Sequence, residues 1–354
     1  MTSEFIRQSQ HRRICRLAVM TLAATALAQA AILHPAAAQS GEVNVYSYRE
    51  AKLLQPLLDA FTQETGIKVN TISAAAGLEQ RIAKEGDKSP ADLLLTVDVG
   101  RIRDAIAAGI AQPIESDILK KTVPPQYQGA DNLWYAVSAR ARVFYVSKDR
   151  VKQDAFTYEE LADPKWKGKI CIRSGQHMYN NALFAAYIAH YGEAQTETWL
   201  KGLKANLAQK PSGGDRETAR DIAAGKCDLG VANTYYWALM NNSDPERKPW
   251  ADATRVVLPT FKNGGTHVNV SAVVLAKHAP NKANAVKFME WLVGEKAQRI
   301  YADINNEYPV RPGVEPNTTI AGYGTLKPDT IPLAKIADHA KAASTLVDKV
   351  GFDN

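Results

Sequence analysis

The chain has 354 residues, of which 43 are lysine or arginine and 37 are aspartate or glutamate, giving a formal net charge of +6. No basic run is long enough to suggest a nucleic-acid partner. A chain of this length is too long for one small hydrophobic core and is typical of two domains.

The first 38 residues have the pattern of a secretory signal peptide. Arg12 and Arg13 belong to a basic start, an apolar stretch covers residues 17–33, and alanines precede Gln39 at a cleavage site. Because the apolar stretch is too short and too polar for a permanent anchor, we expect export to a bacterial periplasm, by the general or the twin-arginine route. Cleavage removes four Arg and one Glu, so the net charge falls from +6 to +3.

The mature chain alternates short apolar strands with amphipathic helices. The first predicted elements are a strand at 43–46, a helix at 53–65, a strand at 67–70, a helix at 77–85 and a strand at 91–96. Gly66 marks the end of the first helix, and Pro56 is tolerated because it falls in the predicted first turn. This βαβαβ order predicts an α/β fold with a mostly parallel sheet.

Further strands and a C-terminal helix continue the pattern. The strands are predicted at 142–146, 169–172, 228–232 and 268–275, and the helix at 333–350. Two α/β lobes behind a signal peptide are typical of periplasmic solute-binding proteins, whose ligands bind beyond the carboxyl ends of strands. The turns at the carboxyl ends of four predicted strands follow Val45, Leu95, Ile172 and Ala232, and three of these four turns carry tyrosines.

The adjacent pair Tyr235–Tyr236 is the most informative of these features. Neighbouring side chains point to opposite faces of a strand, but at the start of a helix they lie about 100° apart and can converge. The preceding Asn233 and Thr234 favour a strand-to-helix turn, because such residues cap helices. Phenolate is a hard anionic ligand suited to ferric iron. The alternative is an ordinary pair with one tyrosine in the core and the other hydrogen-bonded at the surface.

The cysteines and histidines suggest no second metal site. Cys171 and Cys227 remain after cleavage, and in an oxidising compartment without CxxC spacing we expect them to form a disulfide. The histidines lack HxH or HExxH spacing, which argues against zinc. We interpret His177 as a loop residue near Tyr179, and His267 as structural.

In these residues, the mature chain resembles the bacterial periplasmic ferric-binding proteins, which are the iron-carrying components of ATP-driven importers. The resemblance covers essentially the whole mature chain. Its most specific part is a tyrosine 56 positions before a Tyr-Tyr pair, with Ser89-Pro90-Ala91-Asp92 upstream. The other motifs are Val45-Tyr46-Ser47-Tyr48-Arg49, Trp166-Lys167-Gly168-Lys169, Tyr179-Asn180, Asn233-Thr234-Tyr235-Tyr236 and Gly294-Glu295-Lys296-Ala297-Gln298.

The resemblance implies a type II solute-binding fold with two α/β lobes and a ligand cleft between them. The expected N-terminal lobe comprises residues 39–138 and 265–312, and the C-terminal lobe comprises residues 139–264 and 313–354. The expected iron ligands are Tyr179, Tyr235 and Tyr236. A monomer that delivers ferric iron to the inner-membrane permease of an ABC transporter is implied, without nucleic-acid binding.

The chain departs from part of that family after the first strand. Some members have His-Tyr where this chain has Glu50 and Ala51, and they use those residues as additional ligands. Members without these residues complete the coordination of the iron with a synergistic anion, so we expect carbonate or bicarbonate in this chain. Permanently charged, forked arginines suit an anion, and Arg49 and Arg140 are the candidates. Further residues expected at the cleft are Ser47, Tyr48, Glu50, Arg101, Arg142 and Ser174.

Two other classes of protein remain as alternatives. One is a solute-binding protein for an oxyanion or a small organic ligand without metal. The other is an enzyme on a related scaffold, but the sequence has no Gly-x-Ser-x-Gly, Ser-x-x-Lys or Cys/His arrangement, so we expect no catalysis. Citrate or phosphate could replace carbonate as the physiological anion.

Overall fold

A computed structural model describes residues 41–354, and the expected signal peptide lies outside them. The strands are β1 Glu42–Ser47, β2 Lys68–Ser73, β3 Leu93–Thr96, β4 Tyr135–Ser147, β5 Ile170–Cys171, β6 Leu229–Asn233, β7 Thr254–Val257 and β8 Val268–Leu275. The helices of the N-terminal half are α1 Ala51–Thr65, α2 Leu78–Glu85, α3 Val99–Ala107, α4 Asp117–Thr122 and α5 Met178–Ala205. The remaining helices are α6 Asp215–Ala223, α7 Thr234–Ser243, α8 Lys248–Asp252, α9 Lys282–Leu292, α10 Glu295–Asp303, α11 Thr318–Ala321, α12 Leu333–Asp338 and α13 Ala340–Lys349.

The strands form a mixed sheet in the order β2-β1-β3-β8-β4-β6-β5, with β7 also paired to β4. The pairs β1–β2, β1–β3 and β5–β6 are parallel, whereas β8 runs antiparallel to both β3 and β4. The α/β class and the first βαβαβ unit are confirmed. The prediction of a mostly parallel sheet is wrong, because β4 and β8 enter the centre of the sheet from distant parts of the chain and reverse its direction.

Strand β4 changes partners along its length. Its first part pairs with β8 through Ala141, and its second part pairs with β6 from Arg142 onward. One apolar cluster draws on residues 43–137 and 273–301, and another includes residues 141–251. Long-range pairing by β8 therefore joins a late segment of the chain to its first strands.

Several boundaries differ from the predicted ones. Helix α1 begins at Ala51, so Pro56 lies in the second turn, where it removes one hydrogen bond to the carbonyl of the exposed Lys52. Its end at Gly66 is confirmed, and this glycine has φ = 71°. The predicted C-terminal helix is two helices, α12 and α13, which are separated at His339.

The expected disulfide is present between Cys171 and Cys227, whose Cα atoms lie 5.8 Å apart. It joins the end of β5 to the segment before β6, and these strands are adjacent and parallel. Within residues 41–354, no helix has both the length and the apolar character that crossing a bilayer requires.

Candidate metal centre

The three predicted tyrosine ligands lie at the starts of two helices. Tyr179 is in the first turn of α5, and Tyr235 and Tyr236 are in the first turn of α7. The Oη atoms of Tyr179 and Tyr235 are 3.4 Å apart, and the rings of Tyr235 and Tyr236 are 4.1 Å apart at 34°. The predicted strand-to-helix turn is therefore present, and it brings a residue 56 positions away to the same point.

The turn is held by contacts other than the predicted side-chain cap. Asn233 ends β6, but its side chain accepts a hydrogen bond from Arg142 (3.1 Å) instead of capping α7. Its backbone N–H donates to Asp215 (2.8 Å). Tyr145 donates to the carbonyl of Asn233 (2.5 Å) and accepts from the N–H of Trp237 (2.9 Å), so its hydroxyl group fixes the first turn of the helix.

A buried ion pair lies behind the tyrosines. Arg142 Nη1 is 2.6 Å from Asp215 Oδ2, and both side chains are almost fully buried. Arg142 also donates to the side chain of Asn180, the residue after Tyr179 (2.6 Å). Burial alone would raise the pKa of Asp215, but Arg142 and Arg173 hold it below its ordinary value. This network connects the starts of α5, α6 and α7.

The environment of Tyr235 and Tyr236 favours the protonated phenol, because it raises the pKa of both side chains. Burial raises the pKa of Tyr235 well above 10, and the nearby Tyr179 and Tyr236 raise it further, while Arg140 opposes the shift. Burial and Tyr179 also raise the pKa of Tyr236. The guanidinium of Arg216 lies 4.4 Å from the ring of Tyr236. Converging phenols of this kind can bind a cation when it displaces their protons.

A cavity of about 40 Å³ adjoins the tyrosines. Arg49 and Arg140 meet at its wall, where they donate to the same Ser271 Oγ at 3.1 and 3.0 Å. Arg140 Nε and Nη2 are buried and have no hydrogen-bond partner among residues 41–354. The lining residues are Tyr48, Arg49, Glu50, Leu53, Val97, Arg140, Tyr179, Tyr235, Ser271 and Glu307.

Six of the residues predicted for the site line this cavity: Tyr48, Arg49, Glu50, Arg140, Tyr179 and Tyr235. Tyr236 packs on Tyr235 beside it. The hydroxyl group of Tyr48 donates to Glu79 on α2, and burial and this hydrogen bond raise the pKa of Tyr48 to about 12. Its ring thus forms part of the cavity wall while its oxygen is engaged elsewhere.

The other predicted residues lie outside the lining. Arg101 stacks on the ring of Tyr48 at 3.6 Å, and Ser47 accepts from the backbone N–H of Arg49 at 3.0 Å. Arg142 belongs to the ion pair behind the tyrosines. Ser174 donates to Asp353 near the C-terminus (2.6 Å).

The surroundings of His177 and His267 are those of residues with a structural role. His177 precedes α5 and accepts from the N–H of Tyr179 at 3.2 Å, while burial and then Arg173 lower the pKa of His177 to about 3. His267 is buried, and burial lowers its pKa to about 3 as well. Within the described part of the chain, no group of three or more His, Cys, Asp or Glu side chains has an arrangement suited to a metal.

Sequence reasoning missed Ser271, Glu307 and Asp215. Ser271 lies in β8, where the alternation of Asn269 and Ser271 with valines could have indicated a polar face. Asp215 is the first residue of α6 and gives no local sign of its distant partner. Glu307 follows Asn306, which has φ = 56°, but no spacing in the sequence indicates its role.

Comparisons with known proteins show the family of the chain. The sequence matches the family described as bacterial extracellular solute-binding protein over residues 47–299. It is 43% identical to iron uptake protein A1 of Synechocystis over 314 residues, which are 88% of this chain and 87% of that protein.

Two solved structures extend the comparison to the fold. A Bordetella ferric binding protein has a TM-score of 0.83 and 57% identity, covering 88% of this chain and all (100%) of the other. A Trichodesmium protein in complex with iron and citrate ligands also has a TM-score of 0.83, with 41% identity, covering 88% of this chain and 100% of its own.

Proposed function

Because this chain belongs to the bacterial extracellular solute-binding proteins, we propose that it captures ferric iron in the periplasm and delivers it to the inner-membrane permease of an ABC importer. Tyr179, Tyr235 and Tyr236 bind the ion as three tyrosinates. The observation that carries this proposal is the meeting of their side chains beside a small cavity. The names of the similar proteins give independent support, since they describe iron uptake and ferric binding.

The chemistry of the donor set favours a trivalent cation. Three phenolates balance the charge of Fe³⁺ and provide only hard oxygen donors. Since burial raises the pKa of Tyr235 and Tyr236, an ion of high charge has to displace their protons. A neutral organic ligand would not supply that driving force.

A synergistic anion completes the coordination of the iron. Arg49 and Arg140 converge on Ser271, and the unpartnered Nε and Nη2 of Arg140 are donors that an oxyanion can satisfy. The cavity of about 40 Å³ fits a small anion such as carbonate or bicarbonate, since about 10–15 Å³ accommodates one water molecule. Citrate bound with iron in the Trichodesmium protein makes citrate the main alternative.

The ligand cleft lies between two discontinuous lobes and the protein acts as a monomer. The first lobe comprises residues 39–138 and 265–312, and the second comprises residues 139–264 and 313–354. The position of β8 between β3 and β4, and the change of partner along β4 at Ala141 and Arg142, support this division.

The test is a metal analysis and visible spectrum of the wild-type protein loaded with ferric iron, with and without carbonate. We expect one iron per chain and a visible charge-transfer band from tyrosinate to iron, which is stronger with carbonate. A colourless protein that binds no iron but takes up an organic molecule or an oxyanion would refute the proposal.

A further inference from the structure

Glu307 is a buried carboxylate at the wall of the cavity. Only 2% of the residue is exposed, and its Oε1 lies 2.9 Å from Arg49 Nη2. Its other oxygen, Oε2, is buried and has no hydrogen-bond partner among the described residues. The backbone fixes this position, because the N–H of Glu307 donates to the carbonyl of Tyr301 (2.9 Å).

An unpartnered carboxylate oxygen in such a place needs a donor from the ligand. Leaving a buried acceptor unsatisfied is unfavourable, and the cost is greater for a charged group. An ionised oxyanion in the same cavity repels a carboxylate unless a hydrogen atom lies between them. Arg49, Arg140 and Ser271 present donors to the anion, whereas Glu307, together with Glu50 in the same lining, presents acceptors.

We propose that Glu307 selects a synergistic anion that carries a proton, with Oε2 accepting a hydrogen bond from the O–H group of hydrogencarbonate or an oxyanion of the same kind. This inference rests on the proposed function. The two arginines bind the unprotonated oxygens of the anion, and Glu307 binds its hydroxyl group.

The formal charges favour the protonated form. Three tyrosinates neutralise the ferric ion, so Arg49 and Arg140 leave two positive charges at the cavity. Glu307 offsets one of these charges and Glu50 also lines the cavity, so a monoanion adds less uncompensated negative charge there than a carbonate dianion does. Uncompensated buried charge is costly, so the protein favours the monoanion.

The test compares hydrogencarbonate with nitrate, which has a similar planar shape and the same charge but lacks the hydroxyl group. Iron retention against EDTA is measured with each anion for the wild type and for Glu307→Gln. The glutamine side chain keeps one oxygen that can accept from Arg49, and its amide group places an N–H donor where Glu307 has the acceptor Oε2. The preference of the wild type for hydrogencarbonate should shrink roughly 10- to 100-fold in Glu307→Gln, as expected for one buried hydrogen bond.

Asp221→Asn is the matched control, since Asp221 is also a buried carboxylate paired with an arginine, Arg220, but does not line the cavity. Its preference for hydrogencarbonate should equal that of the wild type. An unchanged preference in Glu307→Gln would overturn the inference while leaving the proposed function intact. A wild type that takes up no iron would overturn both.

A second comparison needs no variant, in case Glu307→Gln does not fold. Phosphate at neutral pH carries a hydroxyl group and sulfate of the same shape does not. The ratio of iron retention with phosphate to that with sulfate should therefore exceed the ratio of the affinities of the two free anions for ferric iron. A ratio no larger than that of the free anions would overturn the inference.

Discussion

In Tyr235, burial opposes the deprotonation that the proposed binding of ferric iron requires. Only 4% of the residue is exposed, and its pKa lies well above 10 because burial disfavours the phenolate. Arg140 opposes that shift without reversing it. Burial therefore favours the neutral phenol in the iron-free protein, and under the proposed function iron binding and proton release are the same event.

Iron should dissociate as the pH falls. The iron-bound form has lost the phenolic protons and the iron-free form retains them, so added protons favour the iron-free form. Apparent iron affinity should fall about tenfold per pH unit for each proton displaced, or roughly a thousandfold for three tyrosines. Competition with a chelator between pH 5 and 8, corrected for the protonation of the chelator, measures this slope. A slope of zero would show that no tyrosine is deprotonated on binding.

The elements that carry the tyrosines depend on Arg142 and Asp215. Asp215 accepts from Arg142 and from the N–H of Asn233, and Arg142 donates to Asn180. These contacts hold the starts of α5 and α7 at a fixed separation. A long-range ion pair therefore helps to set the distance between the proposed ligands, which lie on different elements.

Asp215→Asn should lower the free energy of unfolding by about 3–5 kcal/mol, because it leaves the buried charge of Arg142 uncompensated. The control is Asp228→Asn, which breaks a partly exposed pair with Arg150 in the same region and should cost about 1 kcal/mol or less. Urea unfolding of the iron-free proteins gives both values. Equal losses in the two variants would contradict the role assigned to Asp215.

The disulfide should stabilise the neighbouring strands β5 and β6. Cys171 and Cys227 are separated by 56 positions, and closing a loop of this size typically contributes about 2–4 kcal/mol. Reduction, or the double change Cys171→Ala and Cys227→Ala, should lower the urea midpoint accordingly. An equal slope of the two unfolding curves would show that both forms unfold as one unit. An unchanged midpoint would contradict a stabilising effect of the disulfide.

Local patterns in the sequence predicted the elements better than their arrangement. Strand-helix alternation, the end of α1 at Gly66 and the turn before Tyr235 depend on residues close together in the chain. The antiparallel positions of β4 and β8 in the sheet depend instead on pairing between segments that are far apart in the chain. Arg49 and Ser271 are 222 positions apart, so no local period could indicate that they touch. The same reason explains why Glu307 and Asp215 were missed.

The cavity draws on distant parts of the whole chain, from Tyr48 to Glu307. A ligand that contacts both proposed lobes stabilises the closed arrangement by its higher affinity for that state. We therefore expect iron-loaded protein to have a smaller radius of gyration in X-ray scattering than the iron-free protein. Identical scattering curves would mean that closure does not depend on iron.

The central claim is that three tyrosinates bind ferric iron, and the visible spectrum of tyrosine-to-phenylalanine variants tests it most directly. Tyr179→Phe, Tyr235→Phe and Tyr236→Phe each remove one oxygen and keep the ring. Tyr46→Phe is the control, because its hydroxyl group donates to Glu85 outside the cavity. Each of the first three variants should shift or bleach the band and lose iron to citrate faster, while Tyr46→Phe keeps both. Full colour and unchanged iron retention in Tyr235→Phe and Tyr236→Phe would contradict the claim.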